Sequence, residues 1–285
     1  MYLEYFKLRH WPFALTPDTH FFFNVPHVNE AMDTILHGLR LGEGLLKVTG
    51  EVGLGKTLLC RKLVNDLQAD YAVVFLPNPV LTPGDLTKAI ADELGVAFDF
   101  QQGYHAFLKV LLRQLIDMSG QSKRVVILVD EVQAMPDETL EALRLLSNLE
   151  TERQKVLQIV LFAQPELDER LSQERFRSLR QRVGFSAHLS PLSPEQTRVY
   201  VEHRMLVAGC PVPQVFEKKA LRVIHDASRG TPRLVNILCH KSLMVAFGRG
   251  AARVVGAHAH AAVADSVDLL GRVPPQSWWR RISGR

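Results

Sequence analysis

Residues Gly50-Glu51-Val52-Gly53-Leu54-Gly55-Lys56-Thr57 follow the spacing G-x-x-x-x-G-K-[ST]. This constrains the chain more than any other feature. Glycines let a backbone wrap closely around phosphate with its N–H groups turned inward. A helix starting near Lys56 adds its positive end, Lys56 reaches the β- and γ-phosphates, and the Thr57 hydroxyl suits a Mg²⁺ ion. A glycine-rich turn can arise by chance. Here, however, the apolar run Leu45–Thr49 precedes the motif and the helical pattern Thr57–Leu67 follows it, which is the context a phosphate loop requires. The nucleotide-contacting set is therefore Gly50 through Thr57, extended to Leu58 on the first helical turn.

A strand before and a helix after the loop imply a parallel sheet. The rest of the chain supplies the other strands: Ala72–Leu76, Val125–Val129, Leu157–Ala163 and Phe185–Leu189, all short and mostly apolar. Such runs alternating with helical patterns describe a sheet covered on both faces. Helices are expected at Val28–Leu41, Pro83–Leu94, Tyr104–Met118 and Glu138–Leu149, with shorter ones at Glu166–Leu171 and Glu174–Arg182. After Pro191 strand signals nearly stop, and Pro194–Val207, Phe216–Ser228, Thr231–Phe247 and about Ala257–Leu270 read as helices. The fold class is α/β: a five-stranded parallel sheet over 27–191, then a small helical domain over 192–271. Residues 1–26, rich in aromatics and prolines, are expected to pack on the core, and 272–285 form a basic tail with two tryptophans.

Val125–Val129 delivers Asp130-Glu131 to the ligand edge of the sheet. Asp130 suits the Mg²⁺ shell beside Thr57, and Glu131 suits polarising an attacking water. The strand Ala72–Leu76, lying between the two motifs in sequence, fits the class in which the phosphate-loop and acidic strands are not sheet neighbours. Charge at the transferred phosphate needs further compensation. Gln164 at the end of Leu157–Ala163, the cluster Arg175, Arg177, Arg180 and Arg182, and Arg233 after Gly230-Thr231-Pro232 are the candidates. Each has a bland alternative, a strand-end cap or a solvated arginine.

Composition narrows the class. Of 285 residues, 47% are hydrophobic and 22% charged, ordinary globular values that exclude disordered and fibrous chains. No apolar run approaches the ~18–20 residues of a membrane span, and the N-terminus lacks a signal-peptide core. Three cysteines without a CxxC pair suit a reducing cytoplasm, and Cys60 reads as core. His258 and His260 stand i,i+2 on a helix and face apart, which disfavours a metal pair. The net charge of +4 resides in residues 249–285; the preceding 248 are balanced, so nucleic acid is not an expected partner. No N-K-x-D guanine-reading motif occurs.

Gly50–Thr57, Asp130-Glu131-Val132-Gln133, Gln164-Pro165-Glu166-Leu167, Arg180-Gln181-Arg182 and Gly230-Thr231-Pro232-Arg233 occur in this order behind Phe6–Pro17. In this the chain resembles the ExeA/GspA-like AAA+ ATPases of bacterial secretion and pilus systems, and within them those of mannose-sensitive haemagglutinin type IV pilus biogenesis. The resemblance runs from about Met1 to Asp265. It implies a AAA+ core with a helical lid, ATP and Mg²⁺ as ligands, ATP hydrolysis, and a homo-oligomeric ring. It assigns Gln164 to sensor 1 and Arg233 to sensor 2, with Arg182 the first arginine-finger candidate and Arg180 the second. ExeA/GspA proteins carry a membrane span and a periplasmic peptidoglycan-binding part, and neither is expected among these 285 residues. The expectation is a cytoplasmic motor working with pilus or secretion proteins at the inner membrane. The tail Trp278-Trp279-Arg280-Arg281 is a candidate for weak peripheral lipid contact. The alternative reading is a nucleic-acid regulator of the transposition or replication-initiation type, whose cores use the same motifs.

Overall fold

In the computed structural model, residues 1–98, 102–120, 124–150, 155–212 and 214–270 are described. The tail motif around Trp278 lies outside them. The chain divides into an α/β unit, Pro26–Val52 with Lys56–Leu189, and a helical unit, Met1–Val25 with Gly53–Gly55 and Ser190–Arg285.

Chain order in the α/β unit is α2 (Pro26–Leu41), β1 (Leu45–Thr49), α3 (Lys56–Leu67), β2 (Tyr71–Leu76), α4 (Pro83–Glu93), α5 (Tyr104–Gly120), β3 (Arg124–Val129), α6 (Asp137–Leu146), β4 (Leu157–Ala163), α7 (Glu166–Ser172), α8 (Arg177–Arg180) and β5 (Val183–His188); α1 (Tyr2–Tyr5) precedes them in the helical unit. The five strands are all parallel in the order β2-β3-β4-β1-β5. Every residue of β4 is buried and β3 is buried from Val125 onward, as central strands covered on both faces must be. The phosphate-loop and acidic strands are not neighbours. The strand between them is β4, which follows both in sequence, rather than β2.

Helix α2 turns Val28, Ala31, Ile35 and Leu39 inward at three- and four-residue spacing, so one stripe meets the sheet. The opposite layer packs Leu86, Ile90, Phe107, Leu111 and Leu115 against Val125, Ile127 and Val129. Gln158, buried on β4, donates to the carbonyls of Leu39 (3.0 Å) and Glu43 (2.8 Å), and the half-buried Lys47 on β1 pairs with Asp168 on α7. The helical run expected over 174–182 is split into a 3-10 turn, Glu174–Phe176, and α8.

The helical unit contains α9 (Pro194–Val207), α10 (Lys218–Ser228), α11 (Pro232–Gly248), α12 (Gly256–Ala264) and α13 (Val267–Leu270). Ser193 and Gln196 close a capping box at the start of α9. Phe216 and Val254 form a lone parallel bridge, which is why α10 begins at Lys218 instead of Phe216.

The aromatic N-terminal segment belongs to this unit. The expectation placed residues 1–26 on the core; residues 1–25 cluster instead with the helices. The physical reason is Arg204, 4% exposed on α9. Its guanidinium donates to the carbonyls of Pro12 (2.5 Å) and Ala14 (3.5 Å) and to the Tyr200 hydroxyl (2.9 Å). It also lies 4.8 Å from the Phe21 ring centroid, a cation–π distance. Farther along, the Tyr2 hydroxyl and His240 Nδ1 hydrogen-bond at 2.9 Å, and Trp11 meets Tyr2 edge-on at 5.1 Å.

Candidate functional site

The C-terminal ends of β3, β4 and β1 lie side by side, and each delivers part of the site. In parallel sheets this is the edge at which ligands bind. After β1 the chain turns through the phosphate loop, with Gly53 at φ +83° and Gly55 at φ +96°, values that favour glycine. The Gly50 N–H donates to the Ala163 carbonyl at the end of β4 (3.2 Å), which fixes where the loop begins. Lys56, at the start of α3, is 4% exposed, and its ammonium donates to the carbonyls of Gly50 (2.7 Å) and Glu51 (3.0 Å). The loop thus pre-forms around its own lysine.

Burial pushes the Lys56 ammonium below its ordinary value, while the nearby carboxylates of Glu131, Asp130, Glu51 and Glu166 oppose that shift. Asp130, 2% exposed, is pushed the other way. Its burial raises the carboxyl, the adjacent Glu131 charge adds to the rise, and the Thr57 hydroxyl, the Glu131 N–H and Lys56 counter it. A buried carboxylate hydrogen-bonded to a hydroxyl and only partly compensated is an oxygen donor set suited to a hard divalent cation. Thr57 and Asp130 therefore fit the Mg²⁺ role given to them.

Glu131 stands in the left-handed region at φ 54° and ψ 37°, unusual for a residue with a side chain. Its N–H donates to Asp130 Oδ1 (3.0 Å). Its Oε2 accepts from Gln164 Nε2 (3.2 Å) and from Gln133 Nε2 (2.5 Å). Glu131 and Gln164, 33 residues apart in sequence, are thereby brought together.

The arginines separate by their attachments. Arg175 pairs with Asp137 (2.5 Å) and Arg177 with Glu174 (3.2 Å). Arg180 donates to the carbonyls of Leu171 (3.4 Å) and Ser172 (3.1 Å), closing the end of α7. Arg182 is exposed just before β5, an edge strand, and among the described residues its guanidinium makes no hydrogen bond or ion pair. Within the helical unit, which includes Gly53–Gly55, the Arg233 N–H donates to the Gly53 carbonyl (3.2 Å). His258 accepts from the Val255 N–H at the start of α12 (3.2 Å). Among the described residues no group of three or more His, Cys, Asp or Glu could hold a metal ion by themselves. No helix there is long and apolar enough to cross a membrane. Cys60 is buried on α3.

Gln133 stands in the acidic motif with no role that its spacing predicts, and Arg170 belongs to no motif. Arg170, on α7, donates to the carbonyls of Gln133 (2.9 Å) and Met135 (2.9 Å) and pairs with Asp137. It fixes the turn that follows the acidic pair. No spacing rule flags either residue, because each depends on backbone groups distant in sequence: the Gln164 N–H for Gln133, and the Gln133 and Met135 carbonyls for Arg170.

Residues 39–171 match the AAA domain family. Over 255 residues the chain is 40% identical to General secretion pathway protein A of Aeromonas hydrophila, covering 90% of this chain and 46% of that protein, so it spans about half of its relative. Among solved structures it is similar to CDC6P from Pyrobaculum aerophilum, with TM-score 0.68, 15% identity, 92% of this chain and 74% of that one. It is likewise similar to the Aeropyrum pernix ORC2 protein, with TM-score 0.61, 16% identity, and 88% and 72% coverage. The Thermotoga maritima RuvB Holliday junction branch migration motor matches at TM-score 0.53, 16% identity, and 86% and 69% coverage. These last likenesses concern the fold. With the AAA domain match over residues 39–171, the secretion-protein identity and a parallel sheet carrying the phosphate loop and acidic pair at one edge, the chain is similar to the ExeA/GspA-like AAA proteins.

Proposed function

We propose that this chain hydrolyses ATP with Mg²⁺ and spends the conformational change on assembling a bacterial secretion machine or a type IV pilus of the mannose-sensitive haemagglutinin kind. The observation that carries the reading is the convergence of Lys56, Thr57, Asp130, Glu131 and Gln164 at one sheet edge, with Glu131 hydrogen-bonded to Gln164.

The roles follow from the chemistry. Backbone N–H groups of Gly50–Thr57, with Leu58 continuing the helix, cradle the phosphates, and Lys56 exchanges its two carbonyl partners for phosphate oxygens. Thr57 and Asp130 would hold Mg²⁺, whose charge offsets that of the β- and γ-phosphates. Glu131 accepts a proton from the attacking water, and Gln164 orients that water and the γ-phosphate. Arg233 reports the nucleotide state to the helical lid. Arg182 is the arginine finger for a ring neighbour; Arg180 ranks below it because its guanidinium already closes α7.

The partners proposed are a homo-oligomeric ring and assembly proteins at the cytoplasmic face of the inner membrane, with weak lipid contact through the tail. Balanced charge over residues 1–248 favours a protein partner over nucleic acid. Phosphate release measured with and without Mg²⁺, alongside duplex DNA binding at stated salt, tests both parts. Turnover that ignores Mg²⁺ contradicts the first, and tight, salt-sensitive DNA binding contradicts the second.

A further inference from the structure

Gln133 is used at both ends of its amide and again at its backbone. Its Nε2 donates to Glu131 Oε2 (2.5 Å), and its Oε1 accepts from the Gln164 N–H (3.0 Å). Its carbonyl is fixed by Arg170 (2.9 Å), which also holds the Met135 carbonyl and pairs with Asp137. A primary amide carries a donor and an acceptor at fixed separation. Here it spans from the acid after β3 to the main chain at the end of β4. Glu131 itself sits in a left-handed backbone conformation, which persists in a non-glycine residue only where neighbours over-determine it.

We propose that Gln133 is a positioning residue for Glu131. Two N–H donors, from Gln133 and Gln164, converge on Oε2. That leaves Oε1 as the oxygen turned toward the attacking water. Because Gln133 is pinned to the Gln164 main chain, the acid and the sensor glutamine move as one group. The proposal rests on the reading of Glu131 as the residue that polarises water. Gln133 acts through Glu131.

The test is steady-state turnover, single-turnover hydrolysis and ATP binding for wild type, Gln133→Leu, Gln133→Glu, Glu131→Gln and the double variant Glu131→Gln/Gln133→Leu. Gln133→Leu removes both amide bonds; it is expected to lower kcat roughly 10–100-fold, with ATP affinity and KM within about twofold. Gln133→Glu keeps an acceptor for the Gln164 N–H but loses the donor and sets a like charge beside Glu131. It is expected to be no more active than Gln133→Leu, and it carries the test if the leucine variant does not fold. In the Glu131→Gln background, Gln133→Leu should cost nothing further. Wild-type turnover in Gln133→Glu, or an equal loss from Gln133→Leu in both backgrounds, overturns the proposal and leaves Gln133 a structural pin. Undiminished turnover in Glu131→Gln overturns the site reading instead.

Discussion

Among the described glycines of the helical unit, Gly230 is the one at which an added Cβ meets the closest obstacle. Arg229 (φ 51°) and Gly230 (φ 73°) are consecutive left-handed residues, and they reverse the chain from α10 into α11. A Cβ on Gly230 would lie 2.0 Å from the Leu192 carbonyl oxygen, 2.9 Å from its carbon and 3.0 Å from its nitrogen. An unstrained C···O contact is about 3.3 Å, so backbone must move by more than ~1 Å. The backbone conformation costs a non-glycine residue ~1–2 kcal/mol. Displacement also weakens the Leu192 N–H···O=C Gly230 bond (2.9 Å), worth ~1 kcal/mol, and the strain of the shifted segment adds roughly 1–3 kcal/mol. The total is ~3–6 kcal/mol. At about 4 °C per kcal/mol for a unit of about 120 residues, its Tm should fall by roughly 12–24 °C. Gly250 supplies the control: it has φ +63° and nothing within 4 Å of an added Cβ. Gly250→Ala should therefore cost only the backbone contribution, ~1–2 kcal/mol. Differential scanning calorimetry reads both. Equal losses in the two variants, or a Gly230→Ala protein melting within a few degrees of wild type, would refute the reasoning.

Three further outcomes are expected. Burial, with Lys241 adding to it, holds His240 below its ordinary 6.5. A histidine kept neutral in the fold contributes stability fully above the unfolded value and loses it as pH falls from about 6.5 through the lowered folded value. The Tm of wild type should therefore drop more between pH 7.5 and 5.5 than that of His240→Gln, and parallel curves would contradict this. Arg182→Ala should lower turnover of the assembled protein by ~10³–10⁵, as a trans-acting arginine does, and mixing it with Lys56→Ala protein should restore part of the rate. A monomer whose specific rate is independent of concentration defeats that expectation. Truncation after Val273 should weaken co-sedimentation with anionic liposomes at low salt; equal sedimentation of both proteins removes the tail from membrane contact.

Much of this architecture is legible in the sequence because the relevant physics is local. Leu157–Ala163 is apolar but for Gln158, as befits a strand covered on both faces, and the phosphate loop declares itself by glycine spacing. Pairing Thr57 with Asp130 needed only the rule that parallel strands present their C-terminal ends together. What was not legible depends on backbone groups, which every residue carries. The composition of residues 1–26 predicts burial but not the surface that buries them. Arg204 decides that by bonding the Pro12 and Ala14 carbonyls, some 190 residues away in sequence. Gln133 was visible as a letter in a motif, yet its acceptor role toward the Gln164 N–H follows only from β3 and β4 being sheet neighbours. Arg180 and Arg182 stand two residues apart in one basic cluster, and only contacts distant from that cluster separate them: Arg180 is committed to the end of α7.

The central claim is a phosphate-binding lysine and a water-polarising acid with separable duties. Calorimetric titration of ATP with Mg²⁺, paired with phosphate release, tests it on wild type, Lys56→Ala and Glu131→Gln. Lys56 contributes charge-assisted hydrogen bonds of ~1.5–3 kcal/mol each, so its loss should weaken nucleotide binding at least ~10-fold. Glu131→Gln should bind ATP as wild type does while turnover falls by ~10²–10⁴. Equal ATP affinity in Lys56→Ala and wild type, or wild-type turnover in Glu131→Gln, would contradict the account.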